Sequence, residues 1–188
     1  MNISNLFFAL LLGALVPAMA DTPTQWQGTS SIQFSGTSTL HDWAGIVTAD
    51  PFIATVVMDE RGQPASVKAS VSVKAAKMDT AEAKRDENMH KDMKVTSFPL
   101  IVGAFDTPFE LKGGKAPATL AFTLTLLGKP HRVDAAISNW SVNDGTASFD
   151  LDFDLSLKTC GIKVPSVLFV ISVADKVHVH APVKLVRK

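Results

Sequence analysis

The chain has 188 residues, with 18 basic and 18 acidic side chains, a formal net charge of zero and no basic block. That balance leaves no electrostatic footprint for nucleic acid. A single cysteine, Cys160, excludes an internal disulfide, so one domain of this size has to stand on packing alone.

Residues 1–20 carry no charged side chain. Leu6 to Val16 is an apolar run of the length of a signal-peptide core, too short to span a bilayer. Ala18-Met19-Ala20 places small residues where a signal peptidase reads them. The expectation is a cleaved signal peptide over 1–20, export to the periplasm, and one folded domain over 21–188. No Lys or Arg precedes the run, and no Cys follows the cleavage point to carry a lipid anchor. Nothing later is apolar for long enough to suggest an integral membrane span.

The stretch from Ser35 to Val47, "SGTSTLHDWAGIV", reads as an extended strand. Alternation puts Leu40, Asp42 and Ile46 on one side and His41, Trp43 and Val47 on the other. Whichever side is buried takes an ionisable group with it. A histidine enters an apolar interior neutral, whereas an aspartate needs a partner. Trp43 is therefore expected to pack inward with neutral His41 beside it, and Asp42 to stay wet or pair with a base.

"SVKASVSVK" sets Val67, Ala69, Val71 and Val73 against Ser and Lys. Period-two alternation then stops. "MDTAEAKRDENMHKDMK", from Met78 to Lys94, is rich in helix formers, and Asp79 with Glu82 three residues later forms a capping pair. A short helix is predicted around residues 80–94. Helical spacing brings Met78, Glu82, Arg85, Asp86, Met89 and Met93 near one face. That face fits a lid packed on a sheet, with Arg85 paired to an acid. The sharper alternative is a pocket mouth lined by thioethers, with Arg85 meeting an anionic group.

Alternation resumes in "TLAFTLTL", with Leu120, Phe122, Leu124 and Leu126 on one side, and in "HRVDAAIS", with Val133, Ala135 and Ile137. In "ASFDLDFDLSL" five apolar residues from Phe149 to Leu157 oppose Asp150, Asp152, Asp154 and Ser156. The aspartates spread along a wet strand face rather than converge as a calcium loop requires. "KVHVHAPVKLV" sets Val177, Val179, Ala181, Val183 and Leu185 against Lys176, His178, His180 and Lys184. His178 and His180 share a face, but neighbouring lysines repel a cation and no further ligand is evident. Turn signals stand at Asp59–Gly62, Lys112–Gly114, Gly128–Pro130 and Asn143–Gly145. Strands with one dry and one wet face, joined by such turns, indicate an all-β antiparallel sandwich or barrel.

No nucleophile motif, metalloprotease motif, C-x-x-C or phosphate loop is present, and His41 and Asp42 point apart on a strand. The chain is read as a non-enzyme with no catalytic residue, no metal site and no required cofactor.

Several segments taken in order carry a resemblance: "SSIQFSGTSTLHDWAG", "MDTAEAKRDENMHKDMKVTSFPLIVGAF" with Arg85-Asp86, Met89 and Phe98-Pro99, "LAFTLTLLGKPHRVDAAIS" with Gly128 at its turn, and the closing pair from Leu151 to Val186 with Gly161-Ile162. The series resembles the YceI-like family of exported bacterial proteins across nearly the whole mature chain. The resemblance implies a lipocalin-like eight-stranded antiparallel β-barrel whose interior takes an amphiphilic isoprenoid or a quinone-like lipid. On that reading Leu40, Trp43, Met89, Met93, Phe98, Phe122, Leu124, Phe153 and Leu155 are expected to line the lumen, with His41 and Arg85 as polar contacts to a head group. Two other readings stay open: a filled barrel that binds a protein partner, and a metal or redox accessory protein using His178, His180 or Cys160. Association as a homodimer is also open.

Overall fold

The structure, a computed structural model, describes residues 23–60, 64–108, 115–164, 166–167 and 171–188. The expected signal peptide and the turn signal at 112–114 lie outside them. Among the described residues the strands are β1 (Thr24–Ser38), β2 (Trp43–Thr48), β3 (Phe52–Met58), β4 (Pro64–Lys74), β5 (Leu100–Pro108), β6 (Thr119–Leu126), β7 (Lys129–Asn143), β8 (Thr146–Ser156), β9 (Ser166–Val167) and β10 (Ile171–Arg187). One α-helix, α1 (Ala83–Asp92), follows a single 3-10 turn at Ala75–Lys77.

Eight strands close on themselves in the order β1, β3, β4, β5, β6, β7, β8, β10, with β10 returning to β1. All pairings are antiparallel, as hairpin connections allow. Closure removes the open edges that a flat sheet of these strands would expose. The fold is thus the closed antiparallel barrel with one helix that the sequence led us to expect.

The alternating residues turn as anticipated. On β10, Val177, Val179, Ala181 and Leu185 are buried while Lys176, His178 and Lys184 are exposed. Opposite them on β8 stand Leu155, Phe153, Leu151 and Ala147. The interior divides into three apolar clusters along the barrel. One holds Trp26, Phe52, Ala54, Val56, Ala147 and Leu185. The middle one is built on Phe34, Val47, Val73, Val177 and Val179. The third, beneath α1, holds Met93, Leu126, Leu127, Cys160 and Ile162, with Met89, Phe98 and Leu155 packed against it.

One edge of β1 carries β3 along Thr24–Gly28 and β2 along Ser31–Gly36. β2 in turn takes the link between β4 and α1. Ile46 N donates to Asp79 O at 2.7 Å, and Asp79 N donates to Ile46 O at 3.0 Å.

Two local expectations are corrected. The stretch 35–47 is not one strand. It breaks at residues 39–42, where the Ser38 hydroxyl accepts from the Leu40 and His41 amides and donates to the His41 carbonyl. A serine side chain that satisfies the turn's own backbone competes with continued pairing. The helix also begins later than its capping pair suggested. The bridge to Ile46 holds Asp79 in extended backbone, so the chain first turns at Ala81 (φ 59°) and Glu82 becomes the cap, its carboxylate accepting from the Lys84 and Arg85 amides. Asp79 instead accepts from Ala81 N at 2.7 Å.

Candidate functional site

At the end of the barrel opposite α1 the first cluster surrounds a cavity of about 110 Å³. Its walls include Trp26, Phe52, Phe105, Trp140, Phe149 and Val183, and every lining residue among those described is apolar. Val142 lines the cavity and is itself 40% exposed, at the barrel end beside the β7–β8 turn.

Trp140 reaches the cavity through a bulge. The β7–β8 register shifts between Ser138 and Ser141, and Asn139 takes a left-handed backbone (φ 52°). One extra residue reverses the inward–outward parity of the strand beyond it. Trp140 and Val142, which plain alternation from Ile137 would turn outward, therefore face in with it. Trp140 stacks at 5.5 Å on Phe149, and Asn139 Nδ2 donates to Asp150 Oδ2 at 2.6 Å, tying the bulge to β8. Small side chains at Ala54, Ala69 and Ala147 leave room among these rings.

At the opposite end the helix packs on the barrel interior. Met78 and Met89 belong to both the middle and the third cluster, and Met93 is buried in the third. The plug is fixed at Thr80, which is 4% exposed. Arg85 Nε donates to Thr80 Oγ1 at 2.9 Å and Nη2 to Thr80 O at 2.8 Å, while Asp86 accepts from the Thr80 amide and hydroxyl. The Thr80 hydroxyl, above all, holds the Asp86 carboxyl below the usual carboxylate range, with help from the Thr80 amide and the nearby His90 and Arg85 charges.

None of the residues expected to line the lumen lines this cavity. Met89, Met93, Phe98 and Leu155 belong to the plug, and Phe153 packs against the middle cluster. Phe153 also meets Phe122 edge to face at 5.3 Å, and Leu124 is buried two residues along from Phe122 on the same strand face. Trp43 packs inward as expected, over Gly36 and edge-on to Phe34 at 6.3 Å. Its neighbours do not. Leu40 is 63% exposed, and His41 and Asp42 are exposed in the same turn. Neither expected head-group contact faces the interior void: His41 is in solvent and Arg85 is committed to Thr80. The strand break at 39–42 is the physical cause for the first, and the buried Thr80 for the second.

The outer histidines are paired across strands. His178 Nδ1 lies 3.0 Å from Asp154 Oδ1, and His180 Nδ1 lies 2.8 Å from Asp152 Oδ1. Lys176 sits at 2.6 Å from Asp154 and, with His178, keeps that carboxyl below its ordinary range. Among the described residues no group of three or more His, Cys, Asp or Glu side chains is placed to hold a metal ion. Cys160 is buried in the plug, and that burial pushes its thiol up. It shares no cluster with the outward-facing His178 and His180.

Residues the sequence reading did not single out prove central. Trp26, Gly28, Ser30, Ile32 and Phe34 alternate on the inner face of β1, but the two small residues in mid-pattern masked the period. Phe52 and Trp140 are single aromatics next to turns or bulges. Buried polar atoms without a hydrogen-bond partner, among the described residues, are Ser30 Oγ, Trp43 Nε1 and His131 Nε2.

A closed antiparallel barrel, plugged by a helix at one end and holding an apolar hollow at the other, is the architecture of a small ligand-binding barrel. The YceI-like domain model matches residues 26–185, from one cavity-lining residue to another, and the chain belongs to that family. Among solved structures it is similar to Burkholderia cenocepacia BcnA (15% identity, 82% of this chain and 95% of that one, TM-score 0.65). It is also similar to a polyisoprenoid binding domain from Saccharophagus degradans implicated in plant cell wall breakdown (9% identity, 86% and 98%, TM-score 0.56). A third is the Campylobacter jejuni YCEI protein (19% identity, 73% and 81%, TM-score 0.51). At these identities the likeness speaks for the fold. No curated protein matches the chain. No helix among the described residues is long and apolar enough to cross a membrane.

Proposed function

We propose that this protein is a periplasmic binding protein, not an enzyme, that holds an isoprenoid or quinone-like lipid in the barrel and requires no other cofactor. The observation that carries the reading is the cavity, walled among the described residues by apolar side chains alone. A solved neighbour described as a polyisoprenoid binding domain supports the ligand class. The periplasmic location rests on the apolar run at residues 6–16.

Size sets a condition on the mechanism. An empty cavity of ~150 Å³ accepts a benzene molecule, so the hollow of about 110 Å³ takes roughly one five-carbon unit as it stands. A longer chain has to turn side chains aside. Each buried methylene returns about 0.8 kcal/mol, so a few isoprene units outweigh the ~1 kcal/mol expected for each rotamer displaced. The Phe122–Phe153 pair and Leu124 lie between cavity and plug, where side chains turned aside would deepen the hollow.

The test is to express the full chain in a bacterial host, purify it, and look for retained lipid by native mass spectrometry and solvent extraction. A prenyl compound at near-stoichiometric level supports the reading. Protein that retains no lipid and takes up none from added isoprenoid quinones ends it, and the filled, protein-binding barrel takes its place. Ala69→Phe fills the cavity from a wall residue. It is expected to abolish uptake and to cost about 1–3 kcal/mol of stability through overpacking.

A further inference from the structure

We infer that Ser30 is a ligand contact: its hydroxyl donates a hydrogen bond to a neutral oxygen on the lipid, which enters the barrel with its oxygen-bearing end first. The inference rests on the lipid-binding reading and deepens it.

Ser30 lies on β1 between Gly28 and Ile32, with its side chain on the inner face. It is 7% exposed, and its Oγ has no hydrogen-bond partner. Its backbone is not idle, since Ser30 O accepts from Ala49 N at 3.0 Å and the residue pairs with Val183 on β10. Only the hydroxyl is left over. Val183 lines the cavity. Gly28, two residues along on the same face, is covered by the ring of Phe52, which lines the cavity too. Ser30 does not itself line the hollow but stands next to it, beside Val183 and one inward position beyond Gly28, between the first apolar cluster and the middle one.

A buried hydroxyl without a partner is costly, and native interiors rarely keep one without use. The chemistry of the walls narrows what could satisfy it. Among the described residues no charged side chain lines the cavity, so a diphosphate or carboxylate end buried against them would lack compensation. A lipid with such a head would enter tail first and leave Ser30 unpaired. A neutral ring bearing a carbonyl, as in a quinone, crosses the same walls and offers an acceptor at its leading end.

The experiment compares two probes on the wild type and on Ser30→Ala. One is a benzoquinone with a ten-carbon alkyl chain, followed by quenching of Trp26 and Trp140, which line the cavity. The other is the alkylbenzene of the same chain length, followed by displacement of the quinone. Removing an unpaired hydroxyl is not expected to unfold the barrel, and a thermal melt checks this. The expected result is a quinone affinity about three- to tenfold weaker in Ser30→Ala, with alkylbenzene affinity unchanged. The infrared carbonyl band of the bound quinone should also move toward its unbonded frequency in the variant. Equal affinities of both proteins for the quinone, or equal losses for both probes, overturn the inference while leaving the lipid-binding reading in place. Wild type that binds neither probe overturns both.

Discussion

The ring of Phe52 fills the space where a side chain on Gly28 would be: a Cβ built there would lie 2.1 Å from Phe52 Cε2. The two residues are direct partners across β1 and β3. The same arrangement recurs at Gly36 under Trp43 and at Gly45 under Phe34. Aromatic rings from neighbouring positions cover bare backbone on the first strands, a known device for stabilising glycine in sheets. Gly28→Ala must push the Phe52 ring off its seat and into the hollow. It should cost about 1–3 kcal/mol and weaken lipid uptake. Thermal melts and a fluorescence titration measure the two effects, and unchanged uptake would show that Phe52 can yield elsewhere.

Arg85 is a strut in this structure. Arg85→Met removes two charged donors from Thr80, and hydrogen bonds from charged groups to a buried partner are worth about 1.5–3 kcal/mol. A loss of that order in chemical denaturation is expected, with lipid affinity unchanged in the folded protein. A selective loss of affinity for an anionic lipid would return Arg85 to the role of head-group contact.

The surface turn should be indifferent. Leu40 and His41 are exposed, and surface replacements of this kind stay within about 0.5 kcal/mol. Leu40→Ser and His41→Ala are expected to match the wild type in melting and in lipid titration.

Acid should loosen the plug. Asp86 is held below its ordinary range by Thr80 in the folded protein, so its unfolded form binds a proton first. Its stabilising contribution is complete above the unfolded value of about 3.9 and fades as pH falls through the lower folded one. Urea midpoints measured from pH 7 down to pH 3 should drop more steeply for the wild type than for Asp86→Asn. Parallel curves would remove Asp86 from the account.

The bulge in β7 asks for a residue that tolerates a left-handed backbone. Asn139→Val places a β-branched side chain at φ 52° and loses the bond to Asp150. A destabilisation of about 1–3 kcal/mol is expected, with a red shift in tryptophan emission as Trp140 leaves the cavity. Emission that stays put would mean the parity of the strand does not depend on Asn139.

Much of the barrel was legible from local pattern. Val67 to Val73, Leu120 to Leu126 and Val177 to Leu185 announce strands with one dry face because side-chain direction in a strand has a period of two, whatever the strand pairs with. The helix after Met78 was equally plain from its composition.

Which end of the barrel is hollow was not legible. Every inward set contains similar Leu, Val and Ala, and a local pattern carries no information on what faces it across the interior. The helix and its methionines drew attention to one end, yet packing on β6 and β8 made that end solid. The hollow lies where Ala54, Ala69 and Ala147, far apart in sequence, meet among aromatic rings. Trp140 became part of it through one extra residue whose effect depends on pairing with β8. Sequence periodicity thus determined that this chain builds a barrel with a greasy inner face. Closure of the sheet alone decided where that face leaves room, because a void is a property of residues brought together from different strands.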